Sequence, residues 1–272
     1  MKRAGLASIC GAALVAAAAV QAAGAVVYED GFGYPPGEAL EKKGARMPAY
    51  EQTVTEDEKT EGAEREAVVT DEGLAVRGLR TRGNAARVGT WHEKRCARGS
   101  ITVAKPLEIS QDQSKTLYLG LLVRFDEGDL AGDGSKVGVR VPMTFSDSTR
   151  EQETWIEGGV QVYEGAARVY AAFGSTVAGL GPAEPGRVFQ VVVRLGDPDG
   201  SWNQTTEAAL DPGATPPKEW VTVKEGGMPG DYRATGVELV AERANWKENP
   251  RARATIDEVR VGTSFRDVAA AR

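Results

Sequence analysis

The chain has 272 residues, a formal net charge of −6, one histidine and two cysteines. A net negative charge of this size argues against nucleic acid and anionic membrane surfaces as partners. Two cysteines are too few for a disulfide-stabilised scaffold, and stability must come from an apolar core.

Residues 1–25 have the three parts of an export signal. Lys2 and Arg3 form the basic start, residues 9–20 form the apolar run, and small residues precede a cleavage site after Ala25. Cleavage after Ala22 fits nearly as well. Removing the two basic residues takes the charge from −6 to −8. We therefore predict an exported protein, secreted, periplasmic or at the cell surface, with no membrane span.

Two blocks of opposite charge follow. Residues 51–66 hold seven acidic side chains against two basic ones, and we predict a solvated loop there. Residues 77–98 are basic, and we predict short hairpins whose arginines face water or the acidic loop.

The basic block also contains the single histidine, His92, and the one cysteine left after cleavage, Cys96. A zinc-protease helix needs a second histidine where Cys96 stands, so we expect His92 to be a surface or interface residue. Cys96 is either buried and inert or a site for intermolecular pairing.

Strand patterns dominate the chain from residue 115 onward. Residues 116–125 are almost continuously apolar, which is typical of a strand covered on both faces, and 137–145 alternate with period two. Further strands are predicted at 160–163, 168–173, 188–195, 220–224 and 237–241. Many short strands without crossover helices predict an all-β fold over 26–272, with two antiparallel sheets face to face and few short helices.

The last predicted strand, 254–262, contains a carboxylate in an apolar setting. Read with period two, Asp257, Val259 and Val261 share one face, so Asp257 points inward and needs a partner. We expect this strand to lie beside the first one, at 26–32.

The terminal strands resemble a known group. V-V-Y-E-D-G-F-G-Y-P-P-G-E-A-L and T-I-D-E-V-R-V-G-T-S-F-R-D-V are similar to the opening and closing strands of concanavalin A-like (laminin G or pentraxin-like) jelly rolls in exported bacterial proteins. K-T-L-Y-L-G-L-L-V-R-F resembles the central strand of that group. The resemblance covers most of residues 26–268 and implies a jelly-roll sandwich, a fold that hosts many different functions.

Some carbohydrate-binding sandwiches of this kind hold a structural calcium between the first and last strands. The resemblance therefore implies Asp257, with Asp30 or Glu29 and backbone carbonyls, as calcium ligands. The alternative is that Asp257 accepts hydrogen bonds from backbone amides or pairs with an arginine.

The same architecture includes glucanases, whose catalytic carboxylates lie on one strand as E-x-D-x-x-E. The nearest sequence here is E-Q-E-T-W-I-E, in which Glu151, Glu153 and Glu157 share a face with Trp155 but the central aspartate is absent. A diverged glycoside hydrolase or polysaccharide lyase is therefore the alternative function.

Sugar-binding faces use aromatic side chains with polar neighbours. Trp202, in S-W-N-Q, and Trp155, between charged residues, have such surroundings. We therefore expect an exported, non-catalytic module that binds a polysaccharide or cell-surface glycan, or that has a structural role.

Overall fold

The structure is a computed structural model that describes residues 26–40, 51–56, 64–76, 83–91, 99–110, 115–146, 151–196, 204–226, 231–243 and 251–269. Its elements are β1 Val26–Asp30, β2 Glu51–Glu56, β3 Glu64–Val69, β4 Ala86–Trp91, β5 Gly99–Ser110, β6 Thr116–Arg124, β7 Leu130–Ala131, β8 Lys136–Ser146, β9 Glu151–Tyr163, β10 Ala166–Phe173, β11 Thr176–Pro182, β12 Phe189–Gly196, β13 Thr205–Leu210, β14 Val221–Lys224, β15 Asp231–Arg243, β16 Arg251–Gly262 and α1 Phe265–Ala269.

The strands form two antiparallel sheets. The nine-stranded sheet runs β14-β13-β12-β6-β16-β4-β3, with β1 and β7 also paired to β16, and the seven-stranded sheet runs β11-β10-β9-β8-β15-β5-β2. Their inner faces share one main apolar cluster, in which Val139 and Phe145 of β8 belong with Leu119 of β6 and Val191 of β12. Each such buried side chain stabilises the fold by about 1.5–3 kcal/mol. The predicted two-sheet antiparallel sandwich is confirmed.

The first and last strands are neighbours, as predicted. β1 pairs antiparallel with β16, with Val26 opposite Gly262 and Asp30 opposite Val259. The nearly continuous apolar run also forms the expected central strand, because β6 lies between β12 and β16.

The predicted orientation of Asp257 relative to the valines is wrong. Glu258 has a φ of 50°, and the register of β16 with β6 slips at this point. The bulge adds a residue and reverses the alternation of faces. Asp257 therefore lies opposite Leu122, which packs with Leu74 outside the main core, whereas Val259 lies in the main core.

The acidic segment 51–66 is not one solvated loop, contrary to prediction. Its first six residues form β2, which pairs with β5, and its last three begin β3, which pairs with β4. Both strands end their sheets in the strand order. Edge strands have one side open to water and commonly carry charged residues, so acidic composition alone did not distinguish a strand from a loop. In the basic block, β4 is a strand, while 77–82 and 92–98 lie outside the described residues.

The outer face of the nine-stranded sheet is covered in two places. α1 packs on it so closely that a Cβ at Gly120 would lie 2.6 Å from the Val268 carbonyl oxygen. Leu74 covers Leu122 further along β6. These two contacts leave less of this face open to a ligand.

In the described part of the chain, no helix has the length and apolar character needed to cross a bilayer.

Candidate functional site

Charged side chains concentrate on the outer face of the seven-stranded sheet. The inward residues of β8 are apolar, so the alternate residues Lys136 and Arg140 point outward. Arg140 lies opposite Glu157 of β9 on one side and Glu238 of β15 on the other, and Lys136 lies opposite Glu242 of β15. Cross-strand pairing thus places acids and bases side by side.

Four of these charged side chains and one tyrosine form a hydrogen-bonded group that we call the Glu157 cluster: Lys136, Arg140, Glu157, Glu242 and Tyr170. The fully buried Glu157 carboxylate accepts hydrogen bonds from Lys136 Nζ at 2.9 and 3.2 Å and from Arg140 Nε at 3.1 Å. The Tyr170 hydroxyl donates to the same carboxylate. Glu242 lies 3.3 Å from Lys136 Nζ and 2.7 Å from Arg140 Nη2. Two positive and two negative charges therefore balance.

The electrostatics of the cluster follow from burial and pairing. Burial alone would raise the pKa of Glu157, but Lys136 and then Arg140 outweigh it and hold that pKa below its ordinary value. Burial alone would lower the pKa of Arg140, and the two carboxylates raise it instead. The pKa of Tyr170 is raised well above its ordinary value, chiefly by burial and then by Glu157. Glu157 is thus ionised and Tyr170 protonated near neutral pH.

The lack of a side chain at Gly138 makes room for the Tyr170 hydroxyl group. Tyr170 of β10 lies opposite Gly159 of β9, which lies opposite Gly138 of β8. A Cβ at Gly138 would lie 3.0 Å from the Tyr170 hydroxyl oxygen and 2.5 Å from the Gly158 carbonyl oxygen. Glycine inside a strand often marks such a close approach.

A groove of about 460 Å³ adjoins the cluster on the same face; we call it the Trp155 groove. The Arg140 guanidinium carbon lies 4.5 Å from the centroid of the half-buried Trp155 ring, and both residues line the groove. Its other lining side chains include Lys105, Pro142, Thr144, Glu153, Thr235 and Glu238. Trp155 Nε1 has no hydrogen-bond partner among the described residues. The groove therefore combines an aromatic ring with polar and charged neighbours.

The predicted carboxylate series of β9 is divided by this arrangement. Glu153 is exposed and lines the groove, whereas Glu157 is fully buried in its cluster. The two residues are four positions apart on one strand, about 13 Å between Cα atoms, and only Glu153 of the two is open to a ligand. The side chain of Glu151 lies outside the described residues. A hydrolytic role for this series stays a prediction.

The three predicted calcium ligands have protein partners. Asp257 Oδ2 accepts from the Leu74 amide and Oδ1 from the Glu258 amide, both at 2.7 Å. Burial raises the pKa of Asp257 to about 7, although these two hydrogen bonds oppose the rise. The two hydrogen bonds to Asp257 match the alternative in which this carboxylate accepts from backbone amides.

The other two carboxylates have different partners. Asp30 accepts from the Phe32 amide and the Tyr34 hydroxyl, each at 2.8 Å, and Glu29 lies 3.2 Å from Arg260 Nε. The described residues contain no group of three or more side chains that could hold a metal ion. In the described residues each of the three carboxylates thus has its own protein partner, and calcium binding stays a prediction.

Of the two predicted sugar-contacting tryptophans, Trp155 lines the groove and Trp202 lies outside the described residues, as do His92 and Cys96. Sequence reasoning missed the rest of the Glu157 cluster. One signal was present: K-V-G-V-R in β8 and E-L-V-A-E in β15 each place two charges four residues apart on the strand face opposite the core. The pairing of β8 with β15, which brings these charges together, is not visible in the local sequence.

No protein-family model and no curated protein sequence matches the chain. Among solved structures, alginate lyase Aly36B is similar at 11% identity, covering 72% of this chain and 82% of that chain, with a TM-score of 0.46. Alginate lyase vAL-1 from Chlorella virus is similar at 10% identity over 75% and 91%, with a TM-score of 0.42. A Lotus tetragonolobus seed lectin is similar at 10% identity over 78% and 98%, with a TM-score of 0.37.

Proposed function

We propose that the protein binds a glycan in the Trp155 groove without transforming it. The observation that carries this proposal is the groove itself, in which a half-buried tryptophan lies among threonine, carboxylate and arginine side chains. Sugar rings have apolar faces and polar edges, and an aromatic ring with nearby hydrogen-bonding groups suits both.

The Glu157 cluster supports binding by holding one wall of the groove in place. Arg140 is fixed by charge-assisted hydrogen bonds to Glu157 and Glu242, and its guanidinium lies over the Trp155 ring. A wall that is already ordered loses little conformational freedom when a ligand binds.

The placement of the carboxylates supports binding over hydrolysis. A general acid or nucleophile must reach the substrate, and Glu157 is fully buried and paired with two cations. Glu153 alone of the predicted series is seen to line the groove.

The chain is proposed to act outside the cytoplasm. The support for this is the predicted export signal in residues 1–25.

Replacing Trp155 by alanine is expected to weaken binding by roughly tenfold to hundredfold, since stacking and apolar contact of one aromatic ring contribute about 1.5–3 kcal/mol. The measurement is retention on a panel of insoluble polysaccharides, followed by calorimetry with a soluble oligosaccharide of the retained polymer. Product analysis of the same mixtures tests for turnover.

The matched control is Tyr163→Ala. Tyr163 is the last residue of β9, is 51% exposed and does not line the groove. Equal loss of binding in the two variants, or retention of every polymer unchanged in Trp155→Ala, would rule out this groove as the binding site.

A further inference from the structure

We propose that the Trp155 groove selects neutral or amino sugars and discriminates against uronic acids. This inference rests on the proposed glycan binding and names the class of sugar. The basis is that the cations of the groove already have partners, whereas two of its carboxylates have no ion-pair partner among the described residues.

The positive charges near the groove are already paired. Arg140 donates to Glu157 and Glu242. These two carboxylates offset the positive charges of both Arg140 and Lys136. The Lys105 ammonium lies 5.5 Å from the centroid of the Tyr28 ring, and Tyr28 belongs to the apolar core cluster. A sugar carboxylate would therefore have to compete with the partners that these two cations already have.

The negative charges of the groove are available. Glu153 and Glu238 both line it, and neither forms an ion pair with any residue that the structure describes. Glu153 is exposed on β9, and Glu238 lies on β15 across from Arg140. A sugar ammonium would meet one or both carboxylates, whereas a sugar carboxylate would be repelled by them.

Burial adds to the effect at Glu238. This half-buried side chain loses part of its hydration in the groove wall, and that burial raises its pKa, with Arg140 opposing the rise and Glu157 and Glu242 reinforcing it. A bound ammonium group would offset the loss of hydration, and a bound carboxylate would increase it.

The experiment compares three forms of one polymer: the neutral polysaccharide retained by the wild-type protein, its C6-carboxylate derivative and its amino derivative. The wild-type protein is expected to bind the amino form about threefold to tenfold more tightly than the neutral form, and the carboxylate form about threefold to tenfold more weakly. The double variant Glu153→Gln/Glu238→Gln is expected to bind all three within about twofold.

A control excludes attraction of a cationic polymer to an acidic protein as a whole. Glu184→Gln/Glu219→Gln removes the same charge at two exposed carboxylates that do not line the groove. This variant is expected to keep the wild-type order of affinities.

The outcomes separate the inference from the function beneath it. Tightest binding of the carboxylate form, or of a natural polyuronate in the panel, overturns the selectivity and leaves Trp155-dependent glycan binding standing. The selectivity is also overturned if both double variants bind the neutral, amino and carboxylate forms with equal affinity. If no glycan is retained, the proposed function fails and the selectivity fails with it.

Discussion

Replacing Glu157 by glutamine is expected to lower the free energy of unfolding by about 3–5 kcal/mol. The carboxylate is fully buried and accepts hydrogen bonds from Lys136, Arg140 and Tyr170. Glutamine has nearly the same shape but no charge, and its amide group would face donors. Two partly buried cations would then share Glu242 as their one remaining anion in the cluster.

Urea unfolding at neutral pH measures this change, and Glu153→Gln is its matched control. Glu153 is on the same strand and the same face but is exposed, so its replacement is expected to change stability by less than about 0.5 kcal/mol. If the two variants lose equal stability, the cluster has no structural role of the kind described.

The second large effect concerns Asp257 and pH. Its folded-state pKa is about 7 against an ordinary value of 3.8, so between these values the folded protein binds a proton that the unfolded chain has released. Stability from this group is fully present below pH 3.8 and is lost as the pH rises to about 7. The loss is on the order of 4 kcal/mol, since each unit of pKa difference corresponds to about 1.4 kcal/mol.

Asp257→Asn removes this titration while keeping the size of the side chain. The difference in unfolding free energy between variant and wild type is expected to shift in favour of the variant by about 2–4 kcal/mol from pH 4 to pH 8. Other carboxylates with pKa values raised by burial, such as Glu66 and Glu238, are common to both proteins and cancel in the difference. A difference that is constant across this range would contradict a pKa of Asp257 raised by burial.

Much of the fold could be predicted because its strands have strong local signals. The alternation in β8 and the apolar run in β6 each reflect the burial of one or both strand faces, and both were located closely. β2 and β3 were missed because edge strands carry charges that resemble a loop. The face of Asp257 was mispredicted because a single bulged residue, Glu258, reverses the alternation and has no distinctive sequence signal.

Only the part of the site that depends on local strand alternation could be predicted from the sequence. Trp155 and Glu153 could be placed on one face of one strand from local alternation. Glu238 and Glu242 could not be joined to Arg140 because they lie on β15, about one hundred residues away in sequence. Long-range strand pairing, rather than any local motif, assembles the groove wall.

Tryptophan indole NMR tests the central claim most directly. The protein is labelled with ¹⁵N-tryptophan, the Trp155 signal is assigned with Trp155→Phe and the Trp220 signal with Trp220→Phe, and an oligosaccharide of the retained polymer is titrated in. Trp220 packs against α1 on the other sheet, next to Phe265. We predict that the Trp155 indole signal shifts with the affinity measured by calorimetry while the Trp220 signal stays in place. An unmoved Trp155 signal at saturating ligand would contradict glycan binding in this groove.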